Sequence, residues 1–147
     1  MKDNTKYKGT VHVKHLDADG NVLRDAVYDN LVVTTGLAWI AGRLSSTPAA
    51  VMNYIAVGTS ATPPATNQTA LVDEIARVAV SVAGGAPSGA TIIYSATLGA
   101  GVGTGSLQEA GIFQLATGST MLSRVTYPVI NKAAGDTVSI VWTVAAQ

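Results

Sequence analysis

The 147-residue chain holds two histidines, nine acidic and nine basic side chains, and no cysteine. These are its candidates for acid–base or metal chemistry. His12 and His15 lie three apart on a segment that alternates like a β-strand, so they face opposite sides. That spacing suits neither a shared metal nor a proton relay, and both read as surface histidines beside a basic N-terminus. Asp17-Ala18-Asp19-Gly20 suggests a calcium loop. An EF-hand needs carboxylates at positions 1, 3 and 5, Gly at 6 and Glu at 12. With Gly20 as the loop glycine, His15 falls at the first position and Ala26 at the last, so the segment reads as a turn.

The glycines at Gly99, Gly101, Gly103 and Gly105 alternate with other residues. A dinucleotide loop needs G-x-G-x-x-G opening a helix. Here a strand follows, and there is no lysine for a phosphate loop. The stretch is expected to be mobile, or a surface for close contact. Among carboxylates, Asp73-Glu74 are adjacent and Glu109 stands alone in the apolar strand 107–115. Glycosidase chemistry needs two carboxyls facing one cleft. A carboxylate in apolar surroundings is costly unless paired, and Arg77 and Arg124 are the available partners. Arg77, Glu109 and Arg124 are therefore candidates for a structural ion pair rather than for catalysis. No serine has a G-x-S-x-G setting. No enzyme activity, cofactor or metal is expected.

The elements that position these residues are mostly strands. Residues 1–8 read as a flexible basic arm carrying Lys2, Lys6 and Lys8, and residues 9–147 as one domain. Thr10–Leu16 and Val22–Val33 alternate and flank the turn 17–21, which gives a hairpin. In Thr34–Leu44, Leu37, Ile40, Ala41 and Leu44 share one helical face, with Thr34 or Thr35 as N-cap. Met52–Gly58 is a strand, and Thr59–Thr69 a loop marked by Pro63 and Pro64. Leu71–Arg77 is expected to make one or two helical turns leading into a strand at Val78–Val82. Further strands fall at 91–98, 107–115, 120–129 and 136–145. In the last of these, Val138, Ile140, Trp142 and Val144 form one apolar face that needs an opposing sheet. About eight short strands with one or two short helices make the chain mainly β, a sandwich or barrel.

Charged residues make up only 12% of the chain and the formal net charge is zero. Average usage is about 25%, and so neutral a surface favours association. Nucleic-acid binding needs a basic field, which only the arm offers. A membrane span needs roughly 18 apolar residues, and the apolar runs here are shorter. No nucleic acid and no membrane are expected as partners. The polar N-terminus is not followed by the apolar stretch of a secretion signal.

Several motifs recur together. They are Leu31-Val32-Val33-Thr34-Thr35-Gly36-Leu37 before the short helix, Tyr54-Ile55-Ala56-Val57-Gly58-Thr59, and Thr69-Ala70-Leu71-Val72-Asp73-Glu74-Ile75-Ala76-Arg77. Later come Glu109-Ala110-Gly111-Ile112-Phe113, Met121-Leu122-Ser123-Arg124 and Gly135 to Val144. In this order and spacing the chain resembles a group of small structural proteins of tailed bacteriophages, from about residue 31 to the C-terminus. The resemblance implies a virion structural protein and carries over no catalytic residue. The leading expectation is a capsid decoration (cement) protein with a jelly-roll-like β-sandwich. It would form a homo-oligomer and bind major capsid protein subunits on the outer surface of the shell. Lys2, Lys6, Lys8, Pro63, Pro64, Gly101 and Gly103 are the candidate partner-binding residues. The alternative is a tail, neck or fibre-attachment component. A carbohydrate-binding sandwich or small glycan hydrolase lacks its carboxylate pair.

Overall fold

A computed structural model describes residues 6–147. It contains nine strands and one helix: β1 (Tyr7–Leu16), β2 (Val22–Val32), α1 (Thr34–Gly42), β3 (Tyr54–Gly58), β4 (Glu74–Ala79), β5 (Ala86–Ser88), β6 (Thr91–Leu98), β7 (Gly105–Phe113), β8 (Met121–Lys132) and β9 (Thr137–Ala146). Every pairing is antiparallel, in the order β4-β3-β7-β8-β2-β1-β9-β6-β5. The protein is thus mainly β, a curled antiparallel sheet.

The curl is made at β2. Its long stretch pairs with β1, from Gly9↔Asn30 to Leu16↔Val22, whereas only Leu31 and Val32 pair with β8. The sheet folds over at that point. The alternation of β9 sets the core: Val138, Ile140, Trp142 and Val144 are buried, and Trp142 lies between Val11 on β1 and Tyr94 on β6. These side chains form one apolar cluster with Ile55 and Val57 of β3, Ala110 and Ile112 of β7, and Leu122, Val125 and Ile130 of β8. At the far rim the N–H and hydroxyl of Ser81 both donate to the Ser95 carbonyl, at 2.7 and 3.1 Å. This links the chain beyond β4 to β6.

Several expectations are corrected. Tyr7 and Lys8, expected to be part of the arm, belong to β1, opposite Ala146 and Ala145 of β9. Lys2 lies outside the described residues. Leu71–Arg77 is not helical. The Val72 and Asp73 N–H groups bond Glu109, and β4 pairs with β3 from Glu74 onward. Tertiary pairing overrides a local helical pattern in so short a segment. The helix starts one residue earlier than expected, with Val33 as N-cap and no side-chain cap bond; the Thr35 hydroxyl instead donates to the Met121 carbonyl at 3.1 Å. The turn 99–104 is tied down at two points. The Gly101 N–H bonds the Ala134 carbonyl at 2.7 Å, and Lys132 Nζ donates to the Gly99 carbonyl at 2.9 Å. Gly103, at φ +63°, sits so close to Leu98 and Val57 that a Cβ would lie 3.3 Å from each.

The two histidines do face opposite sides, but only one is at the surface. His12 bonds Asp25 on the outer face, whereas His15 is buried and its Nε2 donates to Asp136 Oδ2 at 2.8 Å. The Ala133 N–H, and after it the His15 imidazole, hold the Asp136 carboxyl below its ordinary value of 3.8. A depressed carboxyl stabilises the fold above its unfolded pKa, and that contribution disappears as pH falls through the folded value. The urea midpoint of Asp136→Asn should therefore lie below that of the unmodified protein at neutral pH, and the gap should narrow below about pH 3.8. Urea melts between pH 7 and pH 2 read this directly, and a gap of constant size would contradict it.

Candidate functional site

Alternation along β7 sends Ala110 and Ile112 into the main core. Glu109, Gly111 and Phe113 then face the opposite side of the sheet. Leu107 also reaches the core because the register shifts between it and Glu109. On that outer side, Val33, Ala56, Leu71, Phe113 and Met121 form a second apolar cluster. Residues 59–73 run over it, with Leu71 as their apolar plug.

Glu109 and Arg124 lie in this layer with fully buried side chains. Arg124 Nη2 and Nε donate to Glu109 Oε2 at 2.7 and 3.0 Å. The Val72 N–H donates to the same oxygen at 3.0 Å, and the Asp73 N–H to Oε1 at 2.7 Å. Arg124 Nη1 donates to the Thr62 carbonyl at 2.8 Å and to Gln68 Oε1 at 3.1 Å. Desolvating two charges costs several kcal/mol per ion and is offset only when their remaining donors and acceptors are used. Here residues 62–73 supply the needed partners, three from the backbone and one from the Gln68 side chain. Gly58 stands opposite Glu109, and a Cβ on it would lie 2.3 Å from the Asp73 carbonyl oxygen and 2.5 Å from Glu109 Oε1. Only glycine allows this approach. Two further bonds hold the segment: Gln108 Nε2 to the Thr59 carbonyl at 2.9 Å and the Thr34 N–H to the Thr66 carbonyl at 2.8 Å.

Of the two candidate partners for Glu109, the structure selects Arg124. Arg77 has a separate task. It makes a two-pronged bond to Glu74, donates to the Leu115 and Gly118 carbonyls at 2.7 and 2.9 Å, and lies 3.8 Å over the Phe113 ring. It fastens the 114–119 turn as Arg124 fastens 59–73. The candidate partner-binding residues do not converge. Lys6 and Lys8 lie at the start of β1 beside the C-terminus. Gly101 and Gly103 lie at the opposite end of the same half of the sheet, by the β8–β9 turn. Pro63 and Pro64 are on the segment above the ion pair.

Sequence reasoning missed three further anchors. One is the buried His15–Asp136 pair. A second is Arg24, which donates to the Pro128 and Val129 carbonyls. The third is Lys132 on Gly99. His15 had a visible signal, since it shares the parity of the inward Val11 and Val13. Also unforeseen is an apolar groove of about 290 Å³ between α1 and the sheet, lined by Trp39, Ile40, Leu44, Ile92, Tyr94 and Val144. Burial pushes the Tyr94 hydroxyl up to about 12. Among the described residues, no three His, Asp or Glu side chains gather as a metal-ligand set.

Removing one member of the buried pair strands the other. Glu109→Gln or Arg124→Met alone should cost about 3–5 kcal/mol of unfolding free energy, and the double variant Glu109→Leu/Arg124→Met should recover much of it. Chemical denaturation of the three variants tests this, and single losses under about 1 kcal/mol would contradict it. No protein-family model matches the chain, nor does any curated protein or solved structure.

Proposed function

We propose that the protein is a non-enzymatic structural component of a tailed-bacteriophage particle. In this reading it is a capsid cement protein that binds across neighbouring major capsid protein subunits on the outer surface of the shell. The observation that carries the non-catalytic part is the state of Glu109. Both its oxygens are occupied by the Arg124 guanidinium and by backbone N–H groups, and its side chain is fully buried. Arg24, Arg77, Lys132 and Asp136 likewise spend their polar atoms on turn and strand backbone. Charge is used to fix loops onto the sheet, which suits a rigid body that must present the same surface in many copies.

The phage assignment rests on the ordered motif set from Leu31 to Val144. As part of this reading the curled sheet is a jelly-roll-like sandwich, with β2, β1, β9, β6 and β5 as one wall and β8, β7, β3 and β4 as the other. The single apolar cluster shared by both supports it. A low-charge surface supports assembly, because little hydration is lost when it is covered. The mechanism is mass action: a protein that binds the closed shell and not its separated parts stabilises the shell.

Particles assembled without this protein should open at lower temperature or under weaker osmotic shock than complete ones, and adding it back should restore them. Hundreds of copies per particle are expected. Unchanged shell stability, or a handful of copies at the tail or neck, would overturn the cement role.

A further inference from the structure

We propose that the groove between α1 and the sheet binds a small apolar molecule ending in a single carboxylate, and that the Tyr94 hydroxyl and the Arg43 guanidinium hold that end. The proposal is independent of the particle the protein joins.

The groove lies where the core runs out. Ile92 and Tyr94 of β6 and Val144 of β9 belong to the main apolar cluster, with Ile92 opposite Val144 in the sheet. Trp39 and Ile40 of α1 pack against the same cluster. Between helix and strands a space of about 290 Å³ remains. Ligand pockets begin at roughly 300 Å³ and are mostly apolar with a few placed polar groups, so this space suits a small molecule. Its rim is apolar and wet: Leu44 is 87% exposed and Val51 38%. Covering such side chains is favourable.

Two polar groups set the chemistry of the occupant. Tyr94 lines the groove and is only 2% exposed, yet its hydroxyl has no hydrogen-bond partner among the described residues. A buried tyrosine hydroxyl usually finds one. Tyr127 does, donating to the Glu109 carbonyl at 3.1 Å. The Tyr94 ring is held by close packing. A Cβ on Gly85 would lie 2.8 Å from Tyr94 Cε1 and 2.7 Å from Ile92 Cγ2. The phenol is thus fixed in place with its hydrogen-bonding capacity unspent.

Arg43 is the one charged residue among the described residues that line the groove. Its Nη1 donates to the Ala49 carbonyl, and it lies 6.0 Å from the Trp39 ring centre. Among the described residues no acidic side chain pairs with it. Burial raises the Tyr94 hydroxyl and the Arg43 guanidinium acts the other way, so its positive charge is felt at the phenol oxygen. A carboxylate between the two would accept from both, and the guanidinium fork matches its pair of oxygens. One guanidinium balances one negative charge. A doubly charged phosphate would keep an uncompensated charge in an apolar groove, which is costly.

Octanoate and octanol are the probes, since they share a chain and differ in charge. Each is titrated into the full chain while NMR follows the methyl groups of Ile40, Ile92, Leu122 and Val144. Octanoate at about 1 mM, where a site of millimolar affinity is half filled, should shift these methyls and leave those of Ile55 and Ile112 in place. It should bind roughly tenfold more tightly than octanol. Tyr94→Phe removes no hydrogen bond within the described chain, so its melting temperature should be unchanged. It should weaken octanoate roughly tenfold and leave octanol as before. Arg43→Gln should act in the same direction. No shift with octanoate, or shifts confined to methyls away from the groove, would overturn the proposal. Equal affinity for the two probes, or undiminished octanoate binding by Tyr94→Phe, would overturn it as well, because the carboxylate would then not be what the groove recognises.

Discussion

A carboxylate buried without solvent must collect donors or give up its charge, and Glu109 collects four. Two come from Arg124 and two from the backbone of Val72 and Asp73. The last two donors are available only if residues 59–73 lie flat on β7. That in turn requires Gly58 to have no side chain and diverts Leu71–Arg77 from the helix its local pattern favours. β4 then emerges in register with β3. One ion pair thereby sets the path of a fifteen-residue segment (59–73) and the strand after it. The constraint is reciprocal, because the segment also supplies the Thr62 carbonyl and Gln68 side chain that satisfy the rest of Arg124.

The same economy recurs around the sheet. Arg77 closes the 114–119 turn, Lys132 the 99–104 turn, and Asp136 ties β1 to the β8–β9 turn through His15. Each is a charged group bonded to backbone or to a neutralising partner, which leaves an outer surface with few free charges. Threonine and serine fill the outward positions of β9 and β6, such as Thr143, Ser139, Ser95 and Thr97. A body held this way keeps its shape when another surface covers it.

The alternating strands were legible in the sequence because they are half-buried on one face. The period-two pattern of Val138, Ile140, Trp142 and Val144 is enough to place β9 in the core. Glu109 also stood out, since a lone carboxylate in an apolar strand needs a partner. Sequence reduced that partner to Arg77 or Arg124, and register made the choice: Gly111 pairs with Arg124 across β8, which brings the guanidinium to Glu109. What escaped was everything set by contacts distant in sequence. The strand at Glu74–Ala79 depends on β3, and β5 is a three-residue edge around a proline. The fastening of the glycine-rich turn depends on Lys132 and Ala134. His15 was misplaced because its polarity was weighed above its parity, and its partner lies 121 residues away.

Hydrogen exchange at the Val72 and Asp73 amides tests the central claim most directly. Both lie in an otherwise loop-like stretch at the surface, where amides normally exchange through small local openings. If Glu109 and Arg124 fasten the segment, these two amides should exchange as slowly as those of β7 and β8. They should also slow in step with global stability. Exchange at the rate of an open loop, with β7 and β8 still protected, would show that the segment lies on the sheet without being held by the pair.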